Sequence, residues 1–183
     1  MTEGILVVYY SLTGNTELIA ESIAEAINAD LLKIEPNKEI SQEGGKKFLW
    51  GGKQSIMHEK PELQPYSINP EDYNTLILGT PVWAWNYSPP IRSFIEKHDL
   101  KNKNIGIWVC CMGKPKRALR KLQRRLYANN ILGITSFIEP LKHDPEKSAQ
   151  KAKEWASSLI KTAKADDRSP AETSESAEPG EPS

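Results

Sequence analysis

Cysteine and histidine are both scarce, with two of the one and three of the other in 183 residues. The cysteines, Cys110 and Cys111, are adjacent. Neighbouring residues make a strained disulfide, and two thiols are too few for a structural zinc centre. In a strand the two side chains point to opposite faces, so a reduced thiol packed in a core strand is the plain expectation and a redox pair the alternative. His58, His98 and His143 lie in separate polar stretches and read as three surface residues. No carboxylate pair and no nucleophile–base arrangement stands out, and no metal site is expected. A cofactor would have to do any chemistry.

Other absences narrow the class further. No apolar run is long enough to span a bilayer, so no membrane is expected. A basic region followed by an apolar stretch and a cleavage site is missing at the N-terminus, and a cytoplasmic location is expected. There is no G-x-x-x-x-G-K-[ST], which removes the nucleoside triphosphatase loop. There is no G-x-G-x-x-G after the first apolar run, which removes a dinucleotide held in the Rossmann manner. Net charge is absent too, at zero, but it is unevenly spread. Residues 164–183 carry Lys164 and Arg168 against Asp166, Asp167, Glu172, Glu175, Glu178 and Glu181, with three prolines and no aromatic residue. Such a stretch cannot bury enough apolar surface to fold, so a disordered acidic tail is expected after a domain over 1–163.

What is present has an α/β rhythm. Gly4–Tyr10, Leu31–Ile34, Thr75–Gly79, Ile105–Cys111 and Ile134–Ile138 are short apolar runs suited to buried strands. Asn15–Asn28 places Leu18, Ile19, Ser22, Ile23, Ala26 and Ile27 on one helical stripe. Further helices are expected over Ile91–Lys97, entered through Pro89-Pro90, over Lys116–Tyr127, and over Pro145–Thr162. The alternation predicts a three-layer sandwich with a five-stranded parallel sheet of order 2-1-3-4-5. Pro36–Pro70 interrupts it and reads as an excursion with a partial helix over Lys46–Met57.

Two segments carry the chemistry. Ser11–Thr16 (S-L-T-G-N-T) falls between the first strand and the first helix, where a doubly wound sheet presents an anion site. Ser11, Thr13 and Thr16 supply hydroxyls, and Gly14 lets successive backbone N–H groups converge on a phosphate. A polar turn with a helix cap is the plainer reading. Gly79–Tyr87 (G-T-P-V-W-A-W-N-Y) follows the third strand, beside the first segment in a 2-1-3 sheet. Trp83 and Trp85 in a loop suit a planar aromatic ligand, or else they cover the sheet's end.

These two motifs, with the five-strand alternation, resemble the flavodoxin family over roughly Gly4 to Ile160. The middle is similar to a branch in which a stretch ending in K-P-E-L (Lys60–Leu63) precedes D-Y-N-T-L-I-L-G-T-P-V-W (Asp72–Trp83). The resemblance implies that Ser11, Thr13, Gly14, Asn15 and Thr16 hold the phosphate of FMN. It implies that Pro81, Val82, Trp83, Ala84, Trp85 and Asn86 border the isoalloxazine. It makes Cys111, Met112 and Gly113 the third cofactor loop, without the aromatic and acidic residues of well-known flavodoxins. The function implied is electron transfer between partner proteins. An FMN-dependent NAD(P)H:quinone-type reductase and a flavin-free interaction module are the alternatives.

One more feature is a run of seven cations without an acid: Lys114, Lys116, Arg117, Arg120, Lys121, Arg124 and Arg125. Its readings are a solvated face, docking of an acidic redox partner, or a nicotinamide-nucleotide phosphate. Nucleic acid is not expected, because no interleaved aromatics accompany the charges.

Overall fold

The computed structural model describes residues 2–38 and 60–166. Strand β1 (Thr2–Tyr9) leads into helix α1 (Asn15–Ile27) and strand β2 (Asp30–Lys33). After a single 3-10 turn at Pro70–Asp72 come β3 (Tyr73–Trp83), the two-residue β4 (Asn86–Tyr87) and α2 (Pro89–Lys97). Then follow β5 (Asn104–Cys111), α3 (Lys116–Arg125), β6 (Asn130–Ile138), the short α4 (Pro140–His143) and α5 (Pro145–Asp166). Residues 167–183, and with them most of the expected acidic tail, lie outside the described residues. So does the partial helix expected over 46–57.

Five strands are parallel and lie in the order β2-β1-β3-β5-β6, which is the expected 2-1-3-4-5 sheet once the hairpin strand β4 is set aside. The strands are apolar on both faces because helices cover both. Leu6, Val8, Leu76, Leu78, Ile105 and Ile107 meet Ile91 and Phe94 of α2 and Leu122 of α3. The alternate residues Val7, Tyr9, Ile77 and Trp108 meet Ile19 and Ile23 of α1 and Ala152 and Ala156 of α5. Helix α1 packs against α5 as well as the sheet, so it buries Ala20 and Ala24 along with Ile19, Ser22 and Ile23 of the expected stripe, while Leu18, Ala26 and Ile27 are only half-buried. Gly79 and Trp108 are register partners, and any Cβ at Gly79 would stand 1.9 Å from the indole.

Most strand ends fall within one or two residues of expectation, and two differ by four. Strand β6 begins at Asn130 rather than Ile134, because Gly133, which breaks the apolar run in sequence, leaves room for Leu159 of α5. Strand β3 does not stop at Gly79 but continues to Trp83. The excursion starts and returns at one place: Asn37 N donates to Glu62 O at 2.8 Å and Gln64 N to Glu35 O at 2.8 Å, about the bridge between Pro36 and Leu63.

Candidate functional site

The carboxyl ends of β1, β3 and β5 are neighbours, and three segments leave them side by side. The first is Ser11–Thr16. Gly14 has φ 83°, a left-handed value that glycine holds without strain, and a Cβ there would come within 3.1 Å of Leu141 Cδ1. Leu18 N donates to Gly14 O at 3.0 Å, opening the ladder of α1. The earliest amides of a helix have no intrahelical acceptor. Ser11 Oγ accepts from Glu17 N at 3.3 Å, so the capping role exists and Ser11 fills it, keeping its own O–H to donate. Among the described residues nothing accepts from the N–H groups of Asn15 and Thr16. Thr13 is exposed, its Oγ1 accepting from Asn15 Nδ2 at 3.1 Å. Thr16 is buried, with its hydroxyl beside the Cys110 thiol.

Charge around this loop favours an anion. Glu17, one residue past the loop, would repel one, but Lys33 Nζ lies 3.0 Å from its Oε1 and Tyr9 OH donates to the same oxygen at 3.1 Å. The bond to Glu17 raises the Lys33 pKa, and burial followed by Glu17 pushes that of Tyr9 upward, so both groups keep their protons. With that carboxylate engaged, the free amides and the positive end of α1 remain.

The second segment departs from expectation. The stretch read as a loop after Gly79 is the end of β3 folded back on β4, with Val82 paired to Tyr87 and Trp83 to Asn86. Thr80 and Ser88 fasten its base: Ser88 N donates to Thr80 Oγ1 at 3.0 Å, and Thr80 Oγ1 donates to Ser88 Oγ at 2.9 Å, all buried. Ala84 and Trp85 form the turn. Trp83 is half-buried and meets Tyr10 edge-on, with centroids 5.8 Å apart and an interplanar angle of 84°. Trp85 is 59% exposed. Asn86 is buried and its Oδ1 accepts from Tyr87 N at 3.1 Å, which makes it a brace of the hairpin.

The third segment is Cys111, Met112 and Gly113. Cys111 is buried and its thiol donates to Gly113 O at 3.1 Å. Met112 stands out at 78% exposure, and Gly113 faces open space. Cys110 Sγ donates to Asn15 O at 3.6 Å, tying the end of β5 to the start of α1. Both cysteines are free thiols; burial pushes Cys110 up to about 12 and raises Cys111 as well.

Sequence reasoning missed a fourth contributor, Glu139–Leu141. Glu139 N donates to Cys111 O at 3.0 Å, and Leu141 N donates to Asn15 Oδ1 at 3.0 Å, so this turn buttresses the third and first segments together. Pro140 at the first position of a helix was the available signal.

The histidines also depart from expectation. His143 is exposed and His58 lies outside the described residues, but the His98 side chain is only 10% exposed. Tyr66 OH lies 2.6 Å from its Nε2 and Glu71 Oε1 3.4 Å from its Nδ1, with Phe94 against the ring. Burial and then Lys97 lower its pKa against the opposing pull of Glu71. This cluster stands away from the three segments. Among the described residues no group of three His, Cys, Asp or Glu gathers for a metal, and no helix is long and apolar enough to cross a membrane.

Such an arrangement, with loops converging at the point where strand order reverses, defines a doubly wound α/β protein, a class in which ligands bind outside the carboxyl ends of the strands. Residues 4–132 match the flavodoxin family model, and the chain belongs to that family. Solved structures share the fold. A candidate flavoprotein of Bacteroides uniformis ATCC 8492 superposes with a TM-score of 0.71 at 22% identity, covering 84% of this chain and 99% of that one. A flavoprotein of Lactobacillus acidophilus NCFM, solved in complex with FMN, gives 0.62 at 18%, covering 78% and 97%. Oxidised flavodoxin 2 of Bacillus cereus gives 0.56 at 18%, covering 86% and 98%.

Proposed function

We propose that this chain is an FMN-binding electron carrier that passes electrons between partner proteins in the cytoplasm. The observation that carries the reading is the pairing of two features at adjacent strand ends. The unclaimed Asn15 and Thr16 amides suit a phosphate, and the exposed Trp85 suits a flat aromatic ring. The residues therefore fit FMN. Ser11 and Thr13 would add hydroxyl donors to the phosphate, Gly14 the close backbone approach, and Trp83 with Tyr10 a fixed wall behind the hairpin. Thr16, turned inward, would contribute its amide more than its hydroxyl. When bound, FMN supplies one- and two-electron redox chemistry. The chain's own part is to hold it, with Trp85 and Met112 excluding water from the ring. Two free buried thiols suit a reducing compartment.

A second reading is an FMN-dependent reductase that takes hydride from NAD(P)H. What favours it is the open third loop, where Met112, Gly113 and Lys114 are all exposed. The test begins with apoprotein titrated by FMN and by riboflavin, followed by absorbance. FMN is expected to bind far more tightly than riboflavin, and equal binding would remove the phosphate assignment. The loaded protein is then mixed anaerobically with NADPH. Unchanged flavin absorbance is expected of a carrier, and rapid bleaching would install the reductase. No binding of either flavin would leave a flavin-free module.

A further inference from the structure

The cations of α3 acquire a location in the fold. The helix buries Ala118 and Leu122 and so turns Arg117, Arg120 and Arg124 to solvent. It packs against β4, the return strand of the hairpin that bears Trp85. Arg92 of α2 joins it there, its guanidinium 5.6 Å from the centroid of the Tyr87 ring. Lys121 lies close enough to Arg92 and Arg117 that, after burial, their charges lower its pKa. Among the described residues no carboxylate pairs with Arg92, Arg117, Arg120, Lys121 or Arg124; Arg125 alone reaches one, Glu96, at 3.5 Å.

This concentration is unfavourable by itself. Lys116/Arg120, Arg117/Lys121, Arg120/Arg124 and Lys121/Arg125 are like charges one turn apart on a helix. The face also has a length. Ten residues of helix extend about 15 Å, more than one phosphate can occupy and comparable to a row of carboxylates on a protein surface. The hairpin it packs against carries the exposed Trp85 at its turn, and Met112, in the segment that leads into α3, is exposed as well. A charged row next to an apolar contact is the layout of a docking face in which the charges steer and orient the encounter.

We propose that α3, with Arg92, docks the acidic face of an electron-transfer partner protein. The inference rests on the carrier reading and names the chemistry of its partner. Charge complementarity selects that occupant: several fixed carboxylates can meet Arg117, Arg120 and Arg124 at once.

The test is calorimetric binding to the full chain, with and without FMN, of a strongly acidic [2Fe–2S] ferredoxin as probe. Binding is expected at low salt, weakening by roughly tenfold or more as the Debye length shrinks from about 30 Å to about 8 Å. The triple variant Arg117→Glu/Arg120→Glu/Arg124→Glu should bind at least about tenfold more weakly at low salt. Its control, Lys147→Glu/Lys151→Glu/Lys161→Glu on the exposed face of α5, makes the same change in net charge and should stay within about twofold. Unaltered FMN binding by the triple variant would show that it folds. Equal losses in both triple variants, or no loss in the α3 variant, would overturn the proposal. So would displacement of the ferredoxin by 2′-phospho-ADP-ribose, which would make the face a nucleotide-phosphate site. Binding seen only after removal of residues 167–183 would also overturn it, in favour of the chain's own acidic tail as occupant. Ferredoxin binding without any flavin binding would sink the carrier reading alone, and the reverse would sink the docking alone.

Discussion

Ala84 and Trp85 are consecutive residues with left-handed backbone, φ 44° and 60°, at the tip of the β3–β4 hairpin. A two-residue hairpin turn of type I′ has positive φ at both central positions, which is why Asn-Gly is its favoured pair. Neither Ala nor Trp is suited to it, at about 1–2 kcal/mol per residue. Ala84→Asn/Trp85→Gly should therefore raise apoprotein stability by about 1–2 kcal/mol in urea denaturation while weakening FMN binding. A double variant no more stable than wild type would show that the turn stores no strain.

The two tryptophans of the hairpin should behave differently. Adding FMN to apoprotein should quench tryptophan fluorescence, and Trp85→Ala should remove most of the quenching that substitution can remove. Trp85 is the exposed ring, whereas Trp83 is already braced edge-on by Tyr10. Loss of one stacked aromatic should weaken FMN by roughly tenfold, given about 1 kcal/mol beyond area burial. A larger loss of quenching in Trp83→Ala would reverse the assignment.

Gly14 joins the Ser11–Thr16 segment to the α4 turn. Gly14→Ala should cost about 1–2 kcal/mol of apoprotein stability, because φ 83° disfavours a side chain and the new Cβ would crowd Leu141. FMN affinity should fall further than riboflavin affinity, since only FMN carries the phosphate. Parallel losses for the two ligands would separate Gly14 from phosphate binding.

Stability should fall on acidification through His98. Burial holds its folded pKa below the ordinary value of 6.5, so the fold favours the neutral ring. Its contribution is complete above that value and is lost as pH falls through the folded pKa. His98→Gln should flatten the decline in urea stability between about pH 7 and pH 5. Identical slopes in wild type and His98→Gln would place the titration elsewhere.

The thiols should be silent while the chain is folded. With Cys110 pushed up to about 12 and Cys111 also raised, little thiolate exists near neutrality. An aromatic disulfide reagent at about pH 8 should label neither cysteine until urea unfolds the protein. Fast labelling of the native chain would restore the alternative of a reactive pair.

The amino-acid sequence alone determined what rests on local pattern. Apolar runs at strand length, separated by amphipathic stripes, located five strands and the main helices. The S-L-T-G-N-T stretch located the turn between β1 and α1, where the anion site is proposed, because hydroxyls, a glycine and a helix start are neighbours in the chain. Tertiary structure decided the rest. Only the buried Thr80–Ser88 bonds and the pairing of Val82 with Tyr87 show that the tryptophans sit on a hairpin rather than a loop. Ser11 and Thr16 have similar hydroxyls in sequence, yet one caps α1 and the other faces Cys110, because β5 arrives there from far along the chain. His98 looks like a surface residue among polar neighbours, but Tyr66 and Glu71 enclose it from 32 and 27 residues back along the chain. Periodicity reports which face of an element is apolar. It cannot report which distant element will cover a polar group, and that depends on packing between segments the chain brings together only when folded.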